Sequence, residues 1–296
     1  MTESSGTSAS QVKPSDEELD IYGLTHVGNM RETNQDHFLI SSLRREVKVL
    51  HSSLPESIDW SSSERLALLA VVADGVGSSI MGEEASRVAV RGIMAYVLEC
   101  MNCYYTMGAS DDESFTRALN NAVLRVHADV TRQSAEGPPE GRNMATTLTV
   151  WLGVWPRAYV LQVGDSRCYL YRNGELRQLT RDQTVAQEMV DVGVFTPEDA
   201  VRSPLAHVLS SAIGGSEAAP IITRLEQDWD EVGLLCSDGL TKHVTDAQIA
   251  ERLRTMTSAR QACEALQQDA LDGGGSDNIT IVIGRPVRRA GEASSH

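Results

Sequence analysis

The chain has 296 residues, a formal net charge of -15 at pH 7 and 41% hydrophobic residues. This length suits one catalytic domain with short tails, and the acidic excess argues against a nucleic-acid backbone or an anionic membrane as a partner. The longest apolar stretch, residues 66–73, is too short to span a bilayer, and no basic patch precedes an apolar core at the N-terminus. We therefore predict a cytoplasmic protein.

Both ends of the chain are polar. Residues 1–20 are rich in Ser and Thr and predict a disordered leader, because such a segment buries too little apolar surface to fold. Residues 286–296 predict a C-terminal tail, which leaves the catalytic domain over residues 21–285. The odd number of cysteines favours reduced core thiols over a disulfide framework. The five cysteines are Cys100, Cys103, Cys168, Cys236 and Cys263.

In the first half of the domain, two short strands flank a polar turn, and a buried strand is followed by two amphipathic helices. The helix pair is expected to lie over a sheet. The predicted order is strands at 21–27 and 36–41, a loop at 48–63, a strand at 66–73, and helices over 83–101 and 115–130.

The second half begins with alternating apolar residues, which predict a meander of antiparallel strands with a hairpin at Asn173-Gly174. Residues 184–215 interrupt the meander with two short helical pieces, and such an insert is either a lid or a structural excursion. The predicted order is strands at 146–154, 158–163, 168–172 and 175–180, helices at 186–192 and 197–201, strands at 221–225 and 231–236, helices at 245–256 and 258–271, and a strand at 278–284. This order favours an α+β layered sandwich.

Aspartates recur at the ends of the apolar strands. Asp74, Asp165 and Asp238 each follow a strand, and Asp277 precedes the last one. Any one of them alone is an ordinary turn residue. Their joint recurrence, with Asp36 in a polar turn, indicates carboxylates gathered at one edge of a sandwich, where they would repel one another unless cations lay between them.

These segments resemble the metal-dependent protein phosphatase family, type 2C, especially its compact bacterial members. The resemblance runs in the family's order through most of the predicted domain, and it implies a four-layer α-β-β-α sandwich with two antiparallel sheets flanked by helix pairs. The matching segments are GNMRETNQD at 28–36, VADGVG at 72–77, ATTL at 145–148, VGDSR at 163–167, LCSDGL at 235–240 and GGSDNIT at 274–280.

The resemblance also implies roles for individual residues. Asp74 would bridge two cations, the Gly75 carbonyl would bind the second cation, and Asp238 and Asp277 would complete the shell of the first. Asp36 would sit beside the metals through water. Such an all-oxygen shell favours Mg²⁺ or Mn²⁺.

The implied activity is that of a protein serine/threonine phosphatase, in which a hydroxide bridging the two metals attacks phosphorus. Arg31 would bind the substrate phosphate through its fork of donors. The expected partners are phosphorylated proteins, targets of a Ser/Thr kinase, with no nucleic acid and no membrane. A pseudophosphatase that only binds phosphorylated partners and a phosphatase for small phosphoesters are the alternatives. Residues 184–215 are expected to act as a flap that decides substrate choice.

Three positions depart from patterns found in relatives. Val76 stands where some have a histidine, so a metal-bound water becomes the candidate acid, and His26 and His37 are interpreted as structural. Gln35 replaces a frequent Glu, which predicts weaker metal binding. Arg142 takes the place of an acid that helps to bind a third cation. Asp165 and Ser166 could still contribute to that third site, which we expect to be poorly formed.

Overall fold

A computed structural model of the protein describes residues 12–47, 62–77, 79–107, 112–137 and 144–288. The described strands form two antiparallel sheets. The first sheet has the order β2-β3-β5-β6-β9, with β4 paired to β3, and the second has the order β1-β11-β10-β7-β8. The strands are β1 (Leu19–His26), β2 (Asp36–Val47), β3 (Ser62–Val76), β4 (Ala145–Thr146), β5 (Leu148–Val154), β6 (Arg157–Val163), β7 (Arg167–Arg172), β8 (Glu175–Gln178), β9 (Ile221–Glu226), β10 (Glu231–Cys236) and β11 (Ile279–Pro286).

Two helix pairs cover the outer faces of the sheets. The helices α1 and α2 share a buried cluster with β3 and β5, whereas α6 and α7 share one with β10 and β11. A third cluster, which includes Val72, Trp151 and Leu235, lies between the sheets. The predicted α-β-β-α sandwich is therefore confirmed. The helices are α1 (Ser79–Met107), α2 (Asp112–Glu136), α3 (Val185–Asp191), α4 (Pro197–Arg202), α5 (Asp238–Thr241), α6 (Asp246–Arg254) and α7 (Ala259–Asp272).

The folded region starts earlier than the predicted leader allows. A 3₁₀ turn forms at Asp16–Glu18, and β1 begins at Leu19 because it pairs with the end of β11. Arg65 of β3 donates hydrogen bonds to Asp16 Oδ1 at 2.6 Å and to the Pro14 carbonyl. The prediction of disorder through residue 20 is thus wrong for residues 12–20, and residues 1–11 lie outside the described part of the chain.

Other boundaries also differ from the predictions. The ladder between β2 and β3 runs out to Val47 and Ser62 through charged pairs such as Arg45 opposite Glu64, which an apolar pattern does not reveal. Most of the predicted loop, residues 48–61, lies outside the described segments, as do residues 289–296 of the predicted tail. The side chains of Cys100, Cys168, Cys236 and Cys263 are buried, and those of Cys168, Cys236 and Cys263 are free thiols. No helix in the described segments could cross a membrane.

The insert at 184–215 contains α3, α4 and a 3₁₀ turn at Pro204–His207. Both of its ends are tied to the sandwich. Gln183, just before it, exchanges hydrogen bonds with Gly164, and Ile213 near its end forms an antiparallel bridge with Thr146. The insert therefore begins beside the loop that carries Asp165 and ends beside Thr146, which pairs with the end of β3 next to Asp74.

The strand termini converge at one end of the sandwich. In the first sheet, β2 begins at Asp36 directly opposite Asp74 of β3. In the second sheet, β10 ends at Cys236 just before Asp238, and β11 begins just after Asp277. Because antiparallel neighbours start and finish at the same edge, carboxylates from distant parts of the chain reach the same place.

Candidate active site

Asp36 lies between the two sheets. Its side chain is 3% exposed, and its Oδ2 accepts hydrogen bonds from Ser237 Oγ and Thr280 Oγ1, both at 2.7 Å. Ser237 follows β10 and Thr280 lies in β11, so the hydrogen bonds of the Asp36 carboxylate connect the first sheet to the second. Asp36 Oδ1 is buried and has no hydrogen-bond partner.

Asp74 is held in place through its backbone. Its N–H donates to Thr147 Oγ1 at 2.9 Å, and its carbonyl accepts from Thr147 N and Thr146 Oγ1, both at 2.8 Å. Thr146 and Thr147 are fully buried. These bonds explain the physical need for the Thr-Thr pair: its hydroxyls fix the main chain of Asp74 where β3 leaves the sheet.

Gly75 is fixed by close backbone packing. A Cβ at Gly75 would lie 2.2 Å from the carbonyl oxygen of Gly82 in the first turns of α1. The Gly75 N–H donates to the Gln35 carbonyl at 3.3 Å. Only glycine allows the helix to approach this closely, so the carbonyl of Gly75 has a defined position next to Asp74.

Asp238 and Asp277 are joined by a lysine. Lys242 Nζ lies 2.6 Å from Asp238 Oδ2 and 2.7 Å from Asp277 Oδ2. Arg31 also contacts Asp277, with its Nε 2.8 Å from Oδ1 and an Nη at 2.9 Å from Oδ2. Asp238 Oδ1 is buried without a hydrogen-bond partner. Arg31, the predicted phosphate-binding residue, is therefore paired in this structure with Asp277, a predicted metal ligand.

Asn278 anchors the loop that carries Arg31. Its Nδ2 donates to the carbonyls of Val27 at 2.8 Å and Thr33 at 3.0 Å, and its Oδ1 accepts from Gln35 N at 2.9 Å. The side chain is 4% exposed. From the sequence, Asn278 has no predicted role beyond its place in a motif. A polar amide directly before an apolar strand was the one available signal.

The electrostatics of the cluster favour a cation. Burial, reinforced by neighbouring carboxylates, raises the pKa of Asp36 to about 6 and that of Asp165 to about 8, and it raises the pKa of Asp74 well above its ordinary value. Asp277 behaves differently. Burial alone would raise its pKa, but hydrogen bonds from Lys242 and Arg31 outweigh burial and hold the pKa below its usual range.

The residues present suit a hard divalent cation. The donors are carboxylate and carbonyl oxygens, and two buried oxygens, Asp36 Oδ1 and Asp238 Oδ1, lack a partner. Yet no three acidic, His or Cys side chains of the described segments are already arranged as a metal cage. Asp277 and one oxygen of Asp238 are instead engaged by Arg31 and Lys242. Metal binding by Asp238 and Asp277, which stays a prediction, would require these ion pairs to rearrange.

Asp165 and Ser166 lie in the loop between β6 and β7, next to Thr147. Asp165 is 8% exposed, whereas Ser166 is fully buried. Ser166 Oγ lies 2.7 Å from Thr147 Oγ1, and its carbonyl accepts from Thr149. Ser166 thus supports the Thr147 hydroxyl that holds Asp74. The participation of both residues in a third cation site stays a prediction, and Arg142 lies outside the described segments.

The two histidines next to the first motif have local partners. His26 Nδ1 accepts from the Gly28 N–H at 2.9 Å. His37 Nδ1 lies 2.9 Å from Ser86 Oγ, and burial lowers the pKa of this imidazole. Val76, where some relatives have a histidine, is 39% exposed.

Known proteins resemble this chain over most of its length. A family model for "Protein phosphatase 2C" matches residues 56–272. Serine/threonine protein phosphatase PstP of Mycobacterium tuberculosis is 36% identical over 219 residues, which are 73% of this chain but 40% of that protein. Serine/threonine phosphatase stp of Listeria innocua is 30% identical over 216 residues, 73% of this chain and 83% of the relative. A crystal structure of the catalytic domain of PstP in complex with 2 manganese ions has a TM-score of 0.65 and 29% identity, covering 91% of this chain and 99% of that one.

Proposed function

Because this chain belongs to the protein phosphatase 2C family, we propose that it is a metal-dependent protein serine/threonine phosphatase. One observation carries the proposal: four aspartates from both sheets, Asp36, Asp74, Asp238 and Asp277, meet at one end of the sandwich, and two of them bury an oxygen that has no protein partner.

The residues that would hold two cations, Mg²⁺ or Mn²⁺, are those that combine oxygen donors with a fixed backbone. Thr147 holds the backbone of Asp74, and the close approach of Gly82 fixes the Gly75 carbonyl. Asp238 lies just after β10, and Asp277 lies just before β11. Asp36 would contact the cations indirectly, through bound water. When bound, the cations would supply an activated water as the nucleophile and offset charge on the phosphoryl oxygens.

Arg31 would bind and orient the substrate phosphate. Its side chain is 50% exposed, so it can reach a ligand from solvent, and Asp277 orients its guanidinium. Two parallel N–H donors match two phosphoryl oxygens. Asn278 holds both ends of the loop that presents Arg31, through Val27 and Gln35, which limits the orientations that the arginine can take.

The insert at 184–215 supports a protein substrate over a small phosphoester. It presents four exposed apolar side chains, with Val192 at 72%, Val194 at 64%, Val201 at 80% and Val208 at 46% exposed. Its two ends are tied beside Asp165 and Asp74, next to the site. A peptide around the phosphorylated residue could cover these valines, whereas a small phosphoester would not reach them. A cytoplasmic location and an opposing Ser/Thr kinase stay predictions from the sequence.

A phosphothreonine peptide and an aryl phosphate test the proposal. We expect both to be hydrolysed with added manganese, and we expect the activity to disappear with chelator or in Asp238→Asn. The matched control is Asp272→Asn, which removes an exposed carboxylate at the end of α7 and should keep activity. Turnover that chelator leaves untouched would refute the metal mechanism. Peptide binding without turnover would instead indicate a pseudophosphatase.

A further inference from the structure

Lys242 joins two carboxylates that the proposed function assigns to metal. It follows the short helix α5, where its backbone N–H donates to the Asp238 carbonyl at 2.8 Å. This turn of helix brings the ammonium back over the Asp238 side chain, and Asp277 approaches from the start of β11. Lys242 matched no motif of the sequence analysis and has no part in the proposed chemistry.

The contact differs from an ordinary surface ion pair. The Lys242 side chain is 22% exposed, and both carboxylates are 17% exposed. Exposed pairs contribute little to stability because water and salt screen them. Here the ammonium is mostly removed from water and shared by two acids. Burial alone would lower the pKa of Lys242, but Asp238 and Asp277 raise it well above its ordinary value, so the lysine is charged at neutral pH.

Within the described segments, few positively charged side chains contact the clustered aspartates, which are Asp36, Asp74, Asp238 and Asp277. Among the described ion pairs, those formed by the clustered aspartates involve Arg31 and Lys242 alone. Arg31 is half exposed and free to turn toward a ligand, whereas Lys242 is anchored by the helix turn beneath it. Lys242 is therefore the more permanent positive charge between Asp238 and Asp277.

We propose that Lys242 is an intramolecular counter-ion of the metal site: it stabilises the metal-free protein by bridging Asp238 and Asp277, and it competes with divalent cations for these carboxylates. The inference rests on the proposed function, because it takes both aspartates as metal ligands. Lys242 would then keep the metal-free site folded, and it would raise the concentration of free cation at which the site fills.

Neutralising Lys242 should therefore strengthen metal binding. Opposite charges this close attract each other strongly in a partly buried setting, and part of this attraction must be given up when a cation takes the carboxylates. We expect Lys242→Gln to bind Mn²⁺ at least about tenfold more tightly than the wild type. The metal-free variant should also unfold at a lower temperature, because two like charges lose their bridge.

Calorimetric titration of Mn²⁺ into chelator-treated protein measures the first effect. Lys242→Arg keeps the charge and should stay close to the wild type. Arg260→Gln removes an equal charge from an exposed pair with Glu264 on α7, and it controls for the general attraction of a more acidic protein. An affinity in Lys242→Gln that is unchanged or weaker would overturn the proposal, since it would make the lysine neutral or helpful to metal binding.

A second measurement uses the wild-type protein, so it does not depend on a variant that folds. The chain has three lysines, Lys13, Lys48 and Lys242. Limited acetylation followed by peptide mass spectrometry should show that Lys242 becomes more reactive when Mn²⁺ is added, because the metal displaces its ammonium. Lys13, bound to the Arg65 carbonyl, serves as the internal reference. No rise at Lys242 would refute displacement.

The absence of a metal site and the absence of a counter-ion role for Lys242 give different titration results. If the wild-type protein takes up no Mn²⁺ in the titration, the metal site itself is wrong, and the proposed function falls with it. If the wild type binds Mn²⁺ and Lys242→Gln binds it no more tightly, the metal site stands and the counter-ion role alone is refuted.

Discussion

Ionisation of Asp36 should oppose folding of the metal-free protein. Burial raises the pKa of this carboxyl to about 6, against an ordinary value of 3.8, so the folded state holds the proton more tightly than the unfolded state does. The associated stability is fully present below about pH 4 and is lost as the pH rises through 6. The gap between the two pKa values corresponds to about 3 kcal/mol at neutral pH.

Substitution Asp36→Asn removes the charge and keeps an oxygen that can accept from Ser237 and Thr280. We expect the metal-free variant to be more stable than the wild type by up to about 3 kcal/mol at pH 8. The advantage should be smaller at pH 5, where the folded wild type is already mostly protonated at this site. Urea unfolding in chelator at both pH values, followed by tryptophan fluorescence, gives the free energies of unfolding.

Manganese should reverse the order of stability. The wild type is expected to gain more from the metal than Asp36→Asn, because an amide is a poorer partner for a hydrated cation than a carboxylate is. Asp272→Asn, on the exposed end of α7, controls for net charge and should follow the wild type. If Asp36→Asn were the less stable protein at pH 8 in chelator, the reasoning from buried charge would be wrong.

Three further changes test other parts of the site. Gln35→Glu should tighten Mn²⁺ binding by adding a carboxylate next to the cluster; a titration that shows no gain would refute the prediction that Gln35 weakens metal binding. Thr147→Val should cost about 1–3 kcal/mol in urea unfolding, because it leaves the partly buried Asp74 N–H without an acceptor, and it should lower turnover; a neutral result would remove Thr147 as the support of Asp74. Val192→Asp combined with Val201→Asp should raise KM for a phosphothreonine peptide and leave kcat/KM for an aryl phosphate unchanged; equal effects on both substrates would argue against a docking role for the insert.

The strand ends could be predicted because their signal is local. Apolar runs such as residues 66–73 mark buried strands, and an aspartate at the end of each run is visible without knowledge of the fold. The layered architecture followed from the change of hydrophobic period after the two long helices. For this reason the structure has Asp74 near the end of β3 and Asp238 shortly after β10, close to the strand ends that the sequence indicates.

The contacts that organise the site could not be predicted because they join distant segments. Asn278 binds a loop more than 240 residues earlier in the chain, and the hydroxyls on Asp36 come from the opposite sheet. The approach of Lys242 to Asp277 depends on how α5 meets the start of β11. No periodicity of a single segment encodes such pairings, and they become visible only when the two sheets are stacked.

The hydrogen bonds that Asp36 receives from Ser237 and Thr280 have a mechanical consequence. Each of the two sheets contributes carboxylates to the same site, so an ion bound there would link the two sheets. Depletion of that ion should let the sheets separate transiently at this end first. Amide hydrogen exchange would then quicken at the start of β2 and β11, while the distant ends of the strands would keep their protection.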